Sequence, residues 1–250
     1  MLKDKVAVIT GAGTGIGREV ALLFGRNRAK VVVNYRSSEQ KAFKVRDDIL
    51  AMGSEAIAVQ GDISKIEDCR KIIDTAVDTF GRIDILVNNS GAGLIKESIL
   101  DITEEEYERV MKTNVDGTYH MTVFALKEME KNPDGGSIVS ISSSAVAQPS
   151  SGNAVYAMSK TAIELLMRSI AQNHGVNGIR CNIVAPGPTE TDMVNDYFDE
   201  AKRKRVTGEI PLRRFGDPKE TAQAVLFFAS DMSSYVTGQK IHVDGGRTIR

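Results

Sequence analysis

The chain has 250 residues, 42% of them hydrophobic and 26% charged, the proportions of an ordinary soluble globular protein. Its 32 Lys and Arg against 33 Asp and Glu give a formal net charge of −1, which argues against nucleic acid or an anionic membrane as the main partner. No run approaches the roughly 18 consecutive apolar residues of a membrane span, "MLKDKVAVITGAG" lacks the apolar core of a signal peptide, and Cys69 and Cys181 show neither metal-ligand spacing nor a disulfide framework; the expected setting is cytoplasmic and metal-free.

Short apolar runs alternate with longer amphipathic segments. "VAVIT" from Val6, "KVVVNY" from Lys30, "AIAVQ" from Ala56, "IDILVNN" from Ile83 and "SIVSIS" from Ser137 read as strands, as do "IRCNIVAP" from Ile179 and "KIHVDGG" from Lys240. They are β-branched and apolar on successive residues, the pattern of strands covered on both faces. Helical segments lie between them, such as "GREVALLFGRN" and "SKIEDCRKIIDTAVDTFG". The second is predicted to take Ser64 as its N-cap and to stop at Gly81. This alternation predicts an α/β fold, a doubly wound parallel sheet with helices on both faces, in a single domain spanning 1–250. Residues 189–215 contain no strand-like run and read as an insert of helices and loop.

The first strand passes through "TGAGTGIG" into a helix. Starting at Gly11, Gly13 or Gly15, the strict G-x-G-x-x-G spacing ends on Ile16, Arg18 or Val20, so Gly11, Gly15 and Gly17 form a G-x-x-x-G-x-G variant. In a strand–turn–helix context it predicts a dinucleotide pyrophosphate on backbone N–H groups; a purely structural turn is the alternative. After the second strand, where an NAD reader usually carries a carboxylate, "VVVNYRSSE" has Tyr35 and Arg36. The Arg36 guanidinium suits a 2′-phosphate, so NADP(H) is the expected cofactor, with NAD the alternative.

Of six tyrosines, only Tyr156 is followed four residues later by a lysine, Lys160. On a helix both side chains share one face, about 5–6 Å apart at Cβ. A fixed ammonium there would lower the phenol pKa from its usual value of about 10 and make it a usable proton donor and acceptor. The alternative is a local packing contact.

Several motifs in order now resemble the short-chain dehydrogenase/reductase family over nearly the whole chain. They are "TGAGTGIG", "GDI" from Gly61, "NNSG" from Asn88, Asn114 in "MKTNVDG", "SISSS" from Ser140, the Tyr156/Lys160 pair and "APGPTETDM" from Ala185. The resemblance implies a Rossmann-like sheet of about seven parallel strands and hydride transfer between nicotinamide and a small carbonyl or alcohol. It implies that Tyr156 is the general acid/base and that Lys160 lowers its pKa and binds the nicotinamide ribose. It also implies that Ser143 hydrogen-bonds the substrate oxygen and that Asn114 holds a proton-relay water. Cofactor contacts carried over are Thr10, Gly11, Thr14, Gly15, Ile16 and Gly17 in the glycine loop, then Tyr35 and Arg36. Asp62 and Ile63 would flank the adenine, with Asn88 and Gly91 at the middle of the cofactor. Pro186, Gly187, Thr189 and Thr191 would lie along the nicotinamide end. Ser90 replaces the family's usual alanine, and Pro188 stiffens the loop after Gly187.

The pattern most resembles 3-oxoacyl-[acyl-carrier-protein] reductases, which makes a 3-oxoacyl thioester the first expected substrate. A sugar or polyol, as for glucose dehydrogenases, is the second. A non-catalytic NADP-binding sensor or scaffold is the alternative of another class. Gly136 and Asn177 stand where docking arginines for an acidic carrier are common, although Lys131 is present. Lys202 to Arg205 are four consecutive cations that suit a coenzyme phosphate or a solvated helix face. Met193, Val194, Tyr197 and Phe198 are spaced to close over a substrate or to meet a subunit. "AMSKTAIELLMRSIAQNHG" is apolar on more than one face, consistent with a homodimer or homotetramer.

Overall fold

The computed structural model describes residues 1–249; Arg250, the last residue of the expected domain, lies outside them. Seven strands form: β1 Val6–Ile9, β2 Lys30–Tyr35, β3 Ala56–Gln60, β4 Ile85–Asn88, β5 Gly136–Ile141, β6 Ile179–Pro186 and β7 Lys240–Val243. All pair in parallel in the order β3-β2-β1-β4-β5-β6-β7. The chain winds outward from β1 to β3, then returns to place β4 on the other side of β1. That reversal opens a crevice at the carboxyl ends of the central strands.

The continuous apolar runs follow from burial of both faces. Ala7 and Ile9 of β1 point into one core, while Val8 points into the other. The first core is closed by α1 (Gly15–Arg26), α2 (Glu39–Ala51) and α9 (Pro218–Ala229), through Val20, Phe24, Ile49, Val225 and Phe228. The second is closed by α3 (Ile66–Phe80), α5 (Gly117–Met129) and α6 (Ala154–His174), through Ile72, Met121, Met129, Ile163 and Met167. α4 (Glu104–Met111) meets α5 through a π turn, Lys112–Asp116.

One predicted boundary is corrected. α3 begins at Ile66 with Lys65 as its N-cap, not Ser64. The Asp62 carboxylate captures both the Ser64 amide (3.0 Å) and its hydroxyl (2.8 Å), which leaves that hydroxyl no helix end to cap. Gly81 stops the helix as predicted, at φ +83°.

The insert holds α7 (Asp192–Tyr197) and α8 (Glu200–Glu209). It leaves and rejoins the body at one bridge, where Glu190 N–H donates to Gly216 O and Gly216 N–H to Pro188 O, both at 2.9 Å. Val206, Ile210 and Phe215 form a small core of their own with Val194 and Phe198. Part of the cationic run serves that core: Arg203 pairs with Glu190 at 3.0 Å, and Lys202 lies 4.7 Å from the Phe198 ring centre. Among the described residues no helix is long and apolar enough to cross a membrane.

Candidate active site

A cavity of about 900 Å³ opens at the carboxyl ends of the strands. Residues just beyond β1, β2, β3, β4, β5 and β6 all line it: Gly11, Arg36, Asp62, Gly91, Ser143 and Gly187. Gly11 and Gly15 have φ of +62° and +54°, which L side chains rarely adopt. At Gly17 an added Cβ would lie 2.4 Å from Asn89 Nδ2 and 2.5 Å from Gly11 O, so the helix packs down on the loop only without a side chain. Thr14 precedes α1 in extended backbone and makes no side-chain capping bond. The first-turn N–H groups of α1 therefore open toward Thr14, Gly15 and Ile16 on the cavity wall, a ready anion seat.

Further residues brace the loop. Asn34, buried within β2, accepts the Gly11 amide through Oδ1 (3.2 Å) and donates Nδ2 to Gly61 O (3.0 Å). Thr10 Oγ1 accepts the amides of Asn89 and Ser90, each at 3.0 Å. Thr10 and Gly17 are thus the backing of the wall rather than its surface. Arg36 is exposed and lines the cavity, with no partner for its guanidinium among the described residues. Asp62, Ile63 and Gly91 also line it. The open N–H turn, the side-chain-free cradle and the unpaired cation at the end of β2 fit a phosphorylated dinucleotide.

Tyr35 lines the cavity while its ring is buried edge-on to Phe43 and its hydroxyl donates to Glu39 Oε1 (3.2 Å); burial pushes its pKa up. One cofactor expectation is corrected. Asn88 faces away from the cavity, where its Nδ2 donates to Thr122 Oγ1 (2.9 Å) and Ser140 Oγ (3.2 Å). It ends β4 on the side of the second core, so its amide ties β4 to α5 and β5.

Ser143, Tyr156 and Lys160 come together on the cavity wall. Burial of the ring raises the Tyr156 pKa; the Ser143 hydroxyl pulls it partly back down, and Tyr197 pushes it up further. Lys160 is 3% exposed, and its Nζ donates to Ile141 O at 2.9 Å. Burial pushes its pKa down to about 8. The expectation that Lys160 depresses Tyr156 is corrected accordingly. Its Nζ sits 5.8 Å from the ring centre and donates to the end of β5, and burial governs the phenol instead.

Asn114 sits in the π turn, fully buried. Its Oδ1 accepts Ala92 N–H (2.7 Å), while Nδ2 donates to Ala92 O (3.1 Å) and Ser159 Oγ (3.0 Å). The side chain joins the loop after β4 to α6. Glu164, a residue the sequence reading missed, pins the other side. It is buried, accepts Ser142 Oγ (2.7 Å) and pairs with Lys240 (2.9 Å), so α6 grips the end of β5 at two successive turns.

Pro186, Gly187, Thr189 and Thr191 line the far wall. Thr189 Oγ1 donates to Gly187 O (2.9 Å) and Thr191 Oγ1 to Thr189 O (3.2 Å), which fixes the entry to α7. α7 then seats on Gly93, whose carbonyl accepts from Tyr197 OH (2.9 Å) and Arg109 Nη2 (3.1 Å). A Cβ on Gly93 would lie 2.9 Å from Tyr197 Cε2 and 3.3 Å from Met193 Sδ. Gly93→Ala is expected to prop α7 off this seat and lower kcat/KM by about ten- to a hundredfold; steady-state kinetics with an unchanged melting temperature checks it.

The sequence signals for what was missed are modest. Asn34 is a buried amide that follows three valines in β2, which demands a partner. Gly93 carries no such mark.

A family model described as enoyl-(acyl carrier protein) reductase matches residues 11–248. Glucose 1-dehydrogenase 2 of Bacillus subtilis is 37% identical over 99% of this chain and 96% of its own length. L-rhamnose-1-dehydrogenase of Scheffersomyces stipitis is 40% identical over 98% of this chain and 96% of its own. A Burkholderia cenocepacia short-chain dehydrogenase in complex with NADP superposes with a TM-score of 0.91, at 31% identity over 98% of both chains. Of the two substrates expected from sequence, these relatives favour the sugar over the 3-oxoacyl thioester. With the family model and these relatives matched over almost its whole length, the chain belongs to the short-chain dehydrogenase/reductase family.

Proposed function

We propose that this oxidoreductase is an NADP-dependent sugar dehydrogenase that oxidises a ring hemiacetal hydroxyl to a lactone. The observation that carries the proposal is the polar lining of the cavity beyond Tyr156. Gln148, Ser150 and Asn153 face it from the catalytic side; Lys202, Arg205 and Glu209 of α8 face it from the insert. An acyl chain would strip water from the polar atoms here that lack a protein partner, whereas a polyhydroxylated substrate offers them hydrogen bonds. The names of the sugar dehydrogenases among the relatives support the same reading.

NADP, when bound, takes up the hydride. The remaining chemistry is this chain's own. Ser143 donates to the substrate oxygen and holds it at Tyr156; the Tyr156 hydroxyl first gives its proton to solvent, and the phenolate, which the Ser143 hydroxyl favours, takes the hydroxyl proton as the carbonyl forms. Lys160 holds the end of β5 and the ribose side of the cavity. The glycine loop and the first turn of α1 bind the pyrophosphate, and Arg36 the 2′-phosphate. Growth of NADPH absorbance with a panel of aldoses tests the reading. Faster turnover of a 3-oxoacyl thioester than of any aldose would overturn it.

Arg36→Asp is expected to raise KM for NADP about a hundredfold and to leave that for NAD nearly unchanged; equal losses would remove Arg36 from cofactor choice. Self-association into a homodimer or homotetramer is supported by Tyr119, Met158 and Leu165 on α5 and α6, which are 48%, 46% and 65% exposed. A reducing cytoplasmic setting suits Cys69 and Cys181, both free and buried.

A further inference from the structure

Gln148 lines the cavity, and its geometry says more than its polarity. The turn that carries it begins at Ser143. Ala145 N–H donates to Ser143 Oγ at 3.1 Å, and the amides of Ala147 and Gln148 donate to Ser144 O at 3.0 and 3.2 Å. Gln148 is therefore fixed one turn beyond the serines and moves only with the peptide that carries Ser143.

The side chain is held from the opposite direction. Its Nε2 donates to the main-chain carbonyl of Arg247 at 2.8 Å. A carbonyl only accepts, so the amide meets Arg247 with its NH2 group and leaves Oε1 as its free end. No donor among the described residues bonds that oxygen. The support behind Arg247 is firm. The Asp244 carboxylate accepts the amides of Gly246 (2.9 Å) and Thr248 (3.0 Å) and the Thr248 hydroxyl (2.6 Å), and Arg247 Nη2 pairs with Glu209 of α8 at 2.9 Å. The turn after β7 thus sets which atom of Gln148 the cavity sees.

We propose that Gln148 is a specificity-determining residue whose Oε1 accepts a hydrogen bond from a substrate hydroxyl near the reacting carbon, so that the enzyme selects hydroxylated substrates over their deoxy counterparts. The choice of sugar as that substrate rests on the function proposed above; the fixed acceptor does not. A substrate lacking the hydroxyl leaves this oxygen unpaired in a half-buried site, while an acyl chain or a second acceptor is disfavoured there outright.

The test compares D-glucose and L-rhamnose with their 2-deoxy and 3-deoxy analogues, and hydroxyacetone with acetone in the reducing direction, for the wild type and Gln148→Met. Methionine keeps the length and removes the acceptor. The wild type is expected to prefer the hydroxylated member of at least one pair by about ten- to a hundredfold in kcat/KM. In Gln148→Met that ratio should fall to near unity while NADPH affinity, followed by fluorescence, stays the same. No preference in the wild type, or an unchanged ratio in the variant, would overturn the proposal. Turnover of no aldose would overturn the sugar reading alone, and the hydroxyacetone pair then decides for Gln148 on the same terms. A wild type inert on every pair overturns both.

Discussion

Tyr156→Phe is expected to lower kcat by about 10²–10⁴-fold while NADPH binds as before. The substitution removes one oxygen and leaves the ring, which packs with Leu94, Val110 and Val155 in a small cluster under the insert. The lost oxygen is the group that Ser143 biases toward its ionised form, so the variant loses the proton acceptor for the substrate hydroxyl. A loss of that size corresponds to about 3–5 kcal/mol in the barrier, more than a packing change at an unaltered ring supplies. Single-turnover kinetics with pre-bound cofactor isolates the chemical step. Near-normal turnover would remove Tyr156 from acid–base chemistry and open the case for a cofactor-binding scaffold.

Lys160→Met should separate activity from stability, with opposite signs. Activity is expected to fall by about a hundredfold or more, since the end of β5 and the ribose wall lose their cation. Stability of the cofactor-free protein should rise at neutral pH. Burial holds the folded pKa of Lys160 at about 8 against an ordinary 10.5. Below pH 8 the lysine is charged in both states, and the folded state carries the full desolvation cost. Between about 8 and 10.5 the unfolded chain binds the extra proton, so the stability of the wild type increases with pH there; above that range the cost is gone. The difference between the two values corresponds to about 3 kcal/mol, reduced by the lost bond to Ile141 O. Urea unfolding at pH 7 and pH 10.5 should show the variant ahead at the lower pH and the gap closed at the higher. A pH-independent gap would mean that the lysine is not charged in a dry site.

Much of this was legible in the sequence because burial leaves a direct imprint on composition. Strands covered on both faces need apolar residues without alternation, and Lys30–Tyr35, Ala56–Gln60 and Ile179–Pro186 match their predicted runs at both ends. The glycine loop was legible because left-handed backbone at Gly11 and Gly15 and close approach at Gly17 exclude other residues. The spacing of Tyr156 and Lys160 reported a shared helix face. What the spacing does not carry is direction and dielectric. It places Lys160 beside Tyr156, yet a carbonyl at the end of β5 captures the amine, and burial governs both groups. Asn88 and Asn114 stand where the family motifs put them, but their amides serve neighbouring backbone and hydroxyls, a choice made by residues distant in the chain. Ser64 has the right chemistry for a cap and loses its hydroxyl to Asp62 two positions earlier. Gln148 was illegible for the same reason, since its meaning depends on the carbonyl of Arg247, 99 residues away.

The single bridge between Thr189 and Gly216, with a private core beyond it, makes the insert a cassette. Much of recognition can then change apart from the reaction. Mutational drift within residues 189–216 can change which molecule is admitted while leaving intact the sheet that holds the glycine loop, Ser143 and Tyr156. Directed evolution of substrate range should therefore concentrate on this cassette, on its seats at the Gly93 carbonyl and the turn at Asp244, and on Gln148 opposite it.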